Sequence, residues 1–245
     1  ADRMYVGDMR GQLWRLDIDN VSNLSAADLV TGGVIAKLGG VTAVLNRRFY
    51  YSPDVSLAED GSHINIAIGS GYRAHPLDTD VHDAFFVIHD PNVYAPAVDG
   101  GGSPIYTPVI TVSDLYDATS NVIGEGSTSQ INTARAALSA SKGLYINLTQ
   151  SDGSYVGEKV LAKSITFSSQ VMFTTYTPVA SASGACSPSQ GSARAYLMNI
   201  DDGTPVQDFN NSGSSSPGDL TRADRAMDLV RGGIPPEPSI IFHDN

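Results

Sequence analysis

The sequence predicts an all-β protein: an incomplete β-propeller of about three blades of antiparallel meanders, with a few short helices in inserted loops. Three observations carry that prediction. Charged residues make up only 17% of the chain and hydrophobic residues 41%, with 24 Gly and 13 Pro as punctuation, a profile of strands and turns. Three times, an alternating apolar run is followed by a second run that closes on an Asp-containing turn. The units so formed are on the order of 40 residues long, the scale of one propeller blade.

The first unit is "RMYVGDM" followed by "GQLWRLDID". Met4 and Val6 alternate with polar residues, the run breaks at Gly7-Asp8, and Leu13, Trp14, Leu16 and Ile18 resume it, so a β-hairpin turning at "DMRG" is expected. The second unit is "HINIAIGSG" with "DAFFVIHDP", and the third is "QVMFTTYTP" with "SARAYLMNIDDG". Their closing acids are Asp17 and Asp19, Asp90, and Asp201 with Asp202. "FYYSPDVSL" and "EKVLAKSITF" supply a preceding strand to the second and third units, and "KGLYINL" reads as the outer strand of an earlier unit. Between the second and third units lie "VYAPAVDGGGSPIYTPV" and "SDLYDATSNVIGEGSTSQINTARAALSAS". In the latter, "INTARAALSASKG" has helical density and stops at Gly143. "VSNLSAADLV" and "LTRADRAMDLV" are two further helix candidates, with Ser25 and Thr221 as caps. "SIIFHD" reads as the first strand of another blade. Residues 1–245 are thus expected to be part of a single propeller domain, truncated at both ends.

Charge narrows the function. Twenty-six acidic against 15 basic residues give a net charge of −11, which argues against a nucleic-acid partner because phosphate binding needs clustered Lys and Arg. No apolar run approaches the 18 or so residues of a transmembrane helix. Cys186 sits in "SGACSPSQGS" without a neighbouring base, so a free thiol, or half of a disulfide whose partner lies outside this chain, is the expectation rather than a nucleophile.

The densest cluster of ligand-type residues is "HPLDTDVHDAF", with His75, Asp78, Asp80, His82 and Asp83, and His89 nearby. Imidazole and carboxylate both bind metals, but Asp and Thr also build side-chain turns, and a polar interstrand loop is the favoured expectation. "SDGSYVGE" and "NIDDGTP" place Asp152-Gly153 and Asp202-Gly203 in tight turns. Trp14 is expected to pack in the core or at a blade edge. There is no G-x-S-x-G, no phosphate loop and no H-E-x-x-H. No catalytic or organic-cofactor site is assigned.

Five segments taken in order resemble the C-terminal propeller of the PilC/PilY family of type IV pilus tip adhesins and biogenesis proteins: "ADRMYVGDMRGQLWRLDI", "RRFYYSPDVSL", "IAIGSGYRAHPLDTDVHDAFFVIHD", "GEKVLAKSITFSSQVMFTTYTP" and "GIPPEPSIIF". The resemblance implies part of a larger, seven-bladed propeller in a non-enzymatic pilus tip factor. Such a factor would support assembly, extension, retraction and attachment at the pilus tip or outer-membrane surface. Its partners would be minor pilins, a host or abiotic surface, and the remaining part of the same protein. The family's calcium loop precedes its "YVGD" strand, and the resemblance makes Asp2 the last ligand of that loop. One Asp cannot hold calcium alone, so calcium is expected in an intact protein and little or none in this chain. The alternatives are a quinone-dependent dehydrogenase-like propeller enzyme, disfavoured by a single Cys and no convergent acid–base pair, and a carbohydrate-binding module.

Overall fold

A computed structural model describes residues 3–18, 29–179, 189–213 and 216–241. Three sheets of consecutive antiparallel strands stack face to face. The first runs β1 (Arg3–Gly7), β2 (Gln12–Ile18) and β3 (Val30–Lys37). β1 and β2 form the expected hairpin, with Met4 opposite Leu16 and Val6 opposite Trp14. Asp8 fixes the turn by accepting from the backbone N–H groups of Arg10 and Gln12.

β4 (Asp54–Leu57), β5 (Ile64–Gly69) and β6 (Ala84–Asp90) build the second sheet. A long insertion then leaves β6: the small hairpin β7 (Ala97–Val98) with β8 (Pro104–Ile105), β9 (Ile110–Thr111), β10 (Tyr116–Asp117), and helices α1 (Val122–Glu125) and α2 (Thr128–Ala140). It returns as β11 (Gly143–Asn147), which pairs with β6. The two loops expected between the second and third units therefore lie inside the second sheet's connectivity. Within them, β9 pairs in parallel with β3 and β10 in parallel with β11, so one short segment adds a strand to two neighbouring sheets. Helix α2 begins where Ser127 and Gln130 form a capping box.

The third sheet holds β12 (Lys159–Val160) and β13 (Ile165–Phe167), both paired with β14 (Gln170–Thr177), then β15 (Ser192–Asn199) and β16 (Ala226–Asp228). Register equates β1, β5 and β14, and likewise β2, β6 and β15. The sheets are held by two apolar layers. Leu13 and Ala36 meet Ile66, Ile68, Phe86 and Ile88 between the first and second sheets. Ala67, Phe85, Val87, Leu144 and Ile146 meet Val171, Phe173, Tyr196 and Met198 between the second and third. Phe85, Phe173 and Tyr196 stack in series across the second layer, with ring centroids 3.9 and 4.7 Å apart. The fully buried Phe85 and Phe173 side chains each contribute about 1.5–3 kcal/mol.

Three expectations are corrected. "LTRADRAMDLV" forms a 3₁₀ turn at Arg222–Arg225 and then β16, because the free edge of β15 takes up Ala226–Asp228 and Arg194 pairs with Asp228 at 2.8 Å. "EKVLAKSITF" breaks into β12 and β13. Ser239–Ile241 is not a strand, and the rest of "SIIFHD" lies outside the described residues, as do Asp19, Cys186 and the helix expected around Ser25. β3 was not among the expected strands, its pattern being interrupted by Gly32 and Gly33. They are glycines because a Cβ would strike Leu16 and the Arg15 backbone at the first, and the Tyr106 ring at the second.

The free face of the first sheet differs from its counterpart in the second. Ile66, Ile68, Phe86 and Ile88 are fully buried, whereas Met4, Val6 and Trp14, three of their register equivalents, are 44%, 45% and 36% exposed.

Candidate functional site

Asp2, the candidate calcium ligand, lies outside the described residues; its neighbour Arg3 is bound to Asp17 at 2.9 Å. Among the described residues no three His, Cys, Asp or Glu side chains come together as a metal-holding group. The "HPLDTDVHDAF" residues are dispersed. His75 rests on Tyr72, Asp78 accepts from the Asp80 N–H, and His82 stacks on Tyr155 at 3.7 Å. Asp83 is buried and accepts from Ser70 at 2.6 Å. Burial pushes its carboxyl up to about 6. His89 stacks on His63 at 4.2 Å, and burial pushes it down to about 4. The loop is instead fastened by Lys159, a buried ammonium that donates to the carbonyls of Pro76, Asp78 and Gly157 at 3.1, 2.5 and 2.6 Å. These residues are a polar interstrand loop.

Two polar constellations bridge the sheets, and sequence reasoning missed both. Between the first and second sheets, buried Arg15 donates to Asp90 at 2.8 Å and to both oxygens of Asp17. Tyr5 donates to the same Asp90 oxygen at 2.7 Å. Burial works against ionised Asp17, but bonds from Arg15, Arg3 and Tyr106 outweigh it and hold the carboxyl below its ordinary value. With every partner satisfied, this is a clamp rather than a reactive site. Trp14, on the other face of β2, donates to Asp8 and sits at the sheet surface.

Between the outer strands of the second and third sheets lies a cavity of about 710 Å³. β11 contributes Ile146 and Asn147, β15 contributes Arg194 and Tyr196, and the 3₁₀ turn contributes Arg222 and Arg225. Arg194 is committed: it meets buried Glu158 at 3.4 Å and Asp228 at 2.8 Å. Glu158 in turn accepts from Thr175 and Tyr196. The other two guanidiniums have no ion pair among the described residues. Arg222 donates through Nη2 to the Thr149 carbonyl and hydroxyl at 3.0 and 2.6 Å. Arg225, 2% exposed, donates to the Thr119 carbonyl at 3.3 Å and to Asn121 at 3.0 Å. Its Nε finds no partner among the described residues. Burial, with Arg222 adding repulsion, pushes Arg225 down to about 10. Glu125 is a lining carboxylate, held by the Arg222 backbone N–H at 2.6 Å and by Asn121 at 2.9 Å. A sequence clue is "RADR", two arginines three apart inside the helix candidate "LTRADRAMDLV".

Three stacked antiparallel meanders without a closed barrel define an incomplete, propeller-like all-β domain. A solved structure similar to it is the C-terminal domain of PilY1 from Pseudomonas aeruginosa: TM-score 0.59, 18% sequence identity, covering 94% of this chain and 52% of that one. The chain therefore has the fold of that domain, as the ordered resemblance implied, and spans about half of its length. No family model matches the chain, and no curated protein does. No helix among the described residues is long and apolar enough to cross a membrane.

Proposed function

We propose that this chain is part of the propeller of a non-enzymatic type IV pilus tip-associated factor, supporting pilus assembly, extension and retraction, and surface attachment. The observation that carries this is the shared fold over 94% of the chain, together with the position of the resembling segments. Four of the five fall on β1–β2, β4, β5–β6 and β12–β14, in the three sheets; the fifth, "GIPPEPSIIF", forms no strand among the described residues. On this reading the protein works outside the cell at the pilus tip or outer-membrane surface. Its partners there are minor pilins and a host or abiotic surface.

Residues 1–245 then form part of one larger propeller, and the partner of the first sheet is a further blade of the same polypeptide. Met4, Val6 and Trp14 support this, because their register equivalents in the second sheet are the residues a neighbouring blade buries. Calcium fits only a longer protein. It takes six to eight oxygens, and the described residues supply no such group. Asp2 would give one ligand and a preceding loop the others.

The test is an in-frame deletion of this region from the full-length protein in its own bacterium, scored for surface pili and twitching. Loss of both, with the protein still exported, is the expected result. Normal pili and motility would remove the pilus role. An Asp2→Asn substitution in the same full-length protein should weaken calcium affinity, and an unchanged affinity rules Asp2 out as a ligand.

A further inference from the structure

We infer that the cavity between the second and third sheets is a binding site for an acidic sugar of the uronic-acid class, its carboxylate received by Arg222, with the buried charge of Arg225 behind it. This is independent of any pilus role. An isolated guanidinium out of water is costly unless an anion compensates it, and Arg225 is buried with no carboxylate in ion-pair range among the described residues. Asn121 accepts from it through Oδ1, and Asn121 in turn donates to Glu125. Arg222 leaves Nη1 and Nε without a bond among the described residues. Planar guanidiniums match the geometry of a carboxylate, which they can grip with paired bonds.

The rest of the cavity decides what carries the carboxylate. Its volume, about 710 Å³, lies within the range of small-molecule sites and accommodates a sugar residue. Asn147, Gln150, Asn210 and Asn211 line it beside Phe209. Amide side chains both donate and accept, as hydroxyl-rich ligands require. Glu125 and Asp228 also face the cavity, but each is already engaged, Glu125 by the Arg222 backbone and Asp228 by Arg194. A free phosphate would leave the amide lining unused. In a chain of net charge −11, two cations at one cavity that form no ion pair among the described residues stand out from the surface around them.

The experiment is a calorimetric titration of this chain with sodium glucuronate, with glucose and sodium glutamate as comparators. Saturable binding of glucuronate, at least tenfold tighter than either comparator and weakened by added salt, is the expected result. Arg222→Gln, at the partly exposed turn, should reduce affinity about tenfold with an unchanged circular dichroism spectrum; Arg225→Gln should do the same if it folds. Absence of saturable glucuronate binding overturns the site. Equal binding of glucose removes the role of the charge, and equal binding of glutamate removes the sugar. Full affinity in a folded Arg222→Gln variant overturns the assignment of Arg222 as receptor.

Discussion

His89 and Asp83 stand at the two ends of β6 and titrate in opposite senses. His89 has a folded value near 4, below its ordinary 6.5, because burial disfavours the imidazolium. Its contribution to stability is present above about 6.5 and is lost as pH falls towards 4. Asp83 has a folded value near 6, above its ordinary 3.8, because burial disfavours the carboxylate. It favours the fold below about 3.8, and that contribution is lost as pH rises through 6. Between pH 4 and 6 the two partly cancel, each tenfold change in proton affinity being worth about 1.4 kcal/mol. Urea unfolding across this window should therefore give a shallow profile for the natural chain. His89→Gln should make stability rise as pH falls from 6 to 4, and Asp83→Asn should steepen the acid loss. Identical profiles for all three chains would show that neither group is buried as described.

At the scale of single elements, the ends of β1 and β5 carry the same device. Gly7 and Gly69 are register equivalents, each closing its strand where the next sheet presses on the backbone. A Cβ on Gly7 would come 2.6 Å from Phe49 and 2.7 Å from Ile68, and one on Gly69 would strike Val160. No side chain fits without moving the sheets apart. Gly69→Ala should therefore destabilise the chain by about 1–3 kcal/mol, the usual cost of overpacking a tight layer. Gly61→Ala serves as the contrast: its added Cβ meets nothing within 4 Å, so any cost comes from its positive φ of 70° alone. Chemical denaturation midpoints decide between them, and an undisturbed midpoint for Gly69→Ala would mean that the layers are more loosely packed than these distances require.

For the whole molecule, the decisive feature is that the middle sheet is covered on both faces and the first on one. On the proposed reading, the open face of Met4, Val6 and Trp14 receives another blade. The 245-residue chain should then self-associate through it as concentration rises, as contiguous exposed apolar surface does. Val6→Lys should keep the chain monomeric by light scattering without lowering its thermal midpoint. A natural chain that stays monomeric at high concentration would count against a blade-receiving face.

Much of this fold was legible. Alternation marked β1, which has one covered face, and the apolar runs in "HINIAIGSG" and "DAFFVIHDP" marked β5 and β6, which the structure buries on both faces. Asp-closed turns marked the ends, and helical density stopping at Gly143 marked α2. The strand β3 was not legible because Gly32 and Gly33 signal a loop locally, and only the approach of Leu16 and Tyr106 explains them. β16 was not legible because helix-forming "RADRAM" yields to the open edge of β15. The arginine cavity was invisible for a related reason: Asn147, Arg194, Arg222 and Arg225 come from separate elements and form no motif. The sequence by itself determined the strand pairs, the turn chemistry and the low-charge composition of an all-β chain, because these depend on neighbours within a few residues. Only the tertiary structure decided which faces are covered, which buried charges lack partners and where the insertion ties two sheets together, because each depends on contacts between residues far apart in the chain.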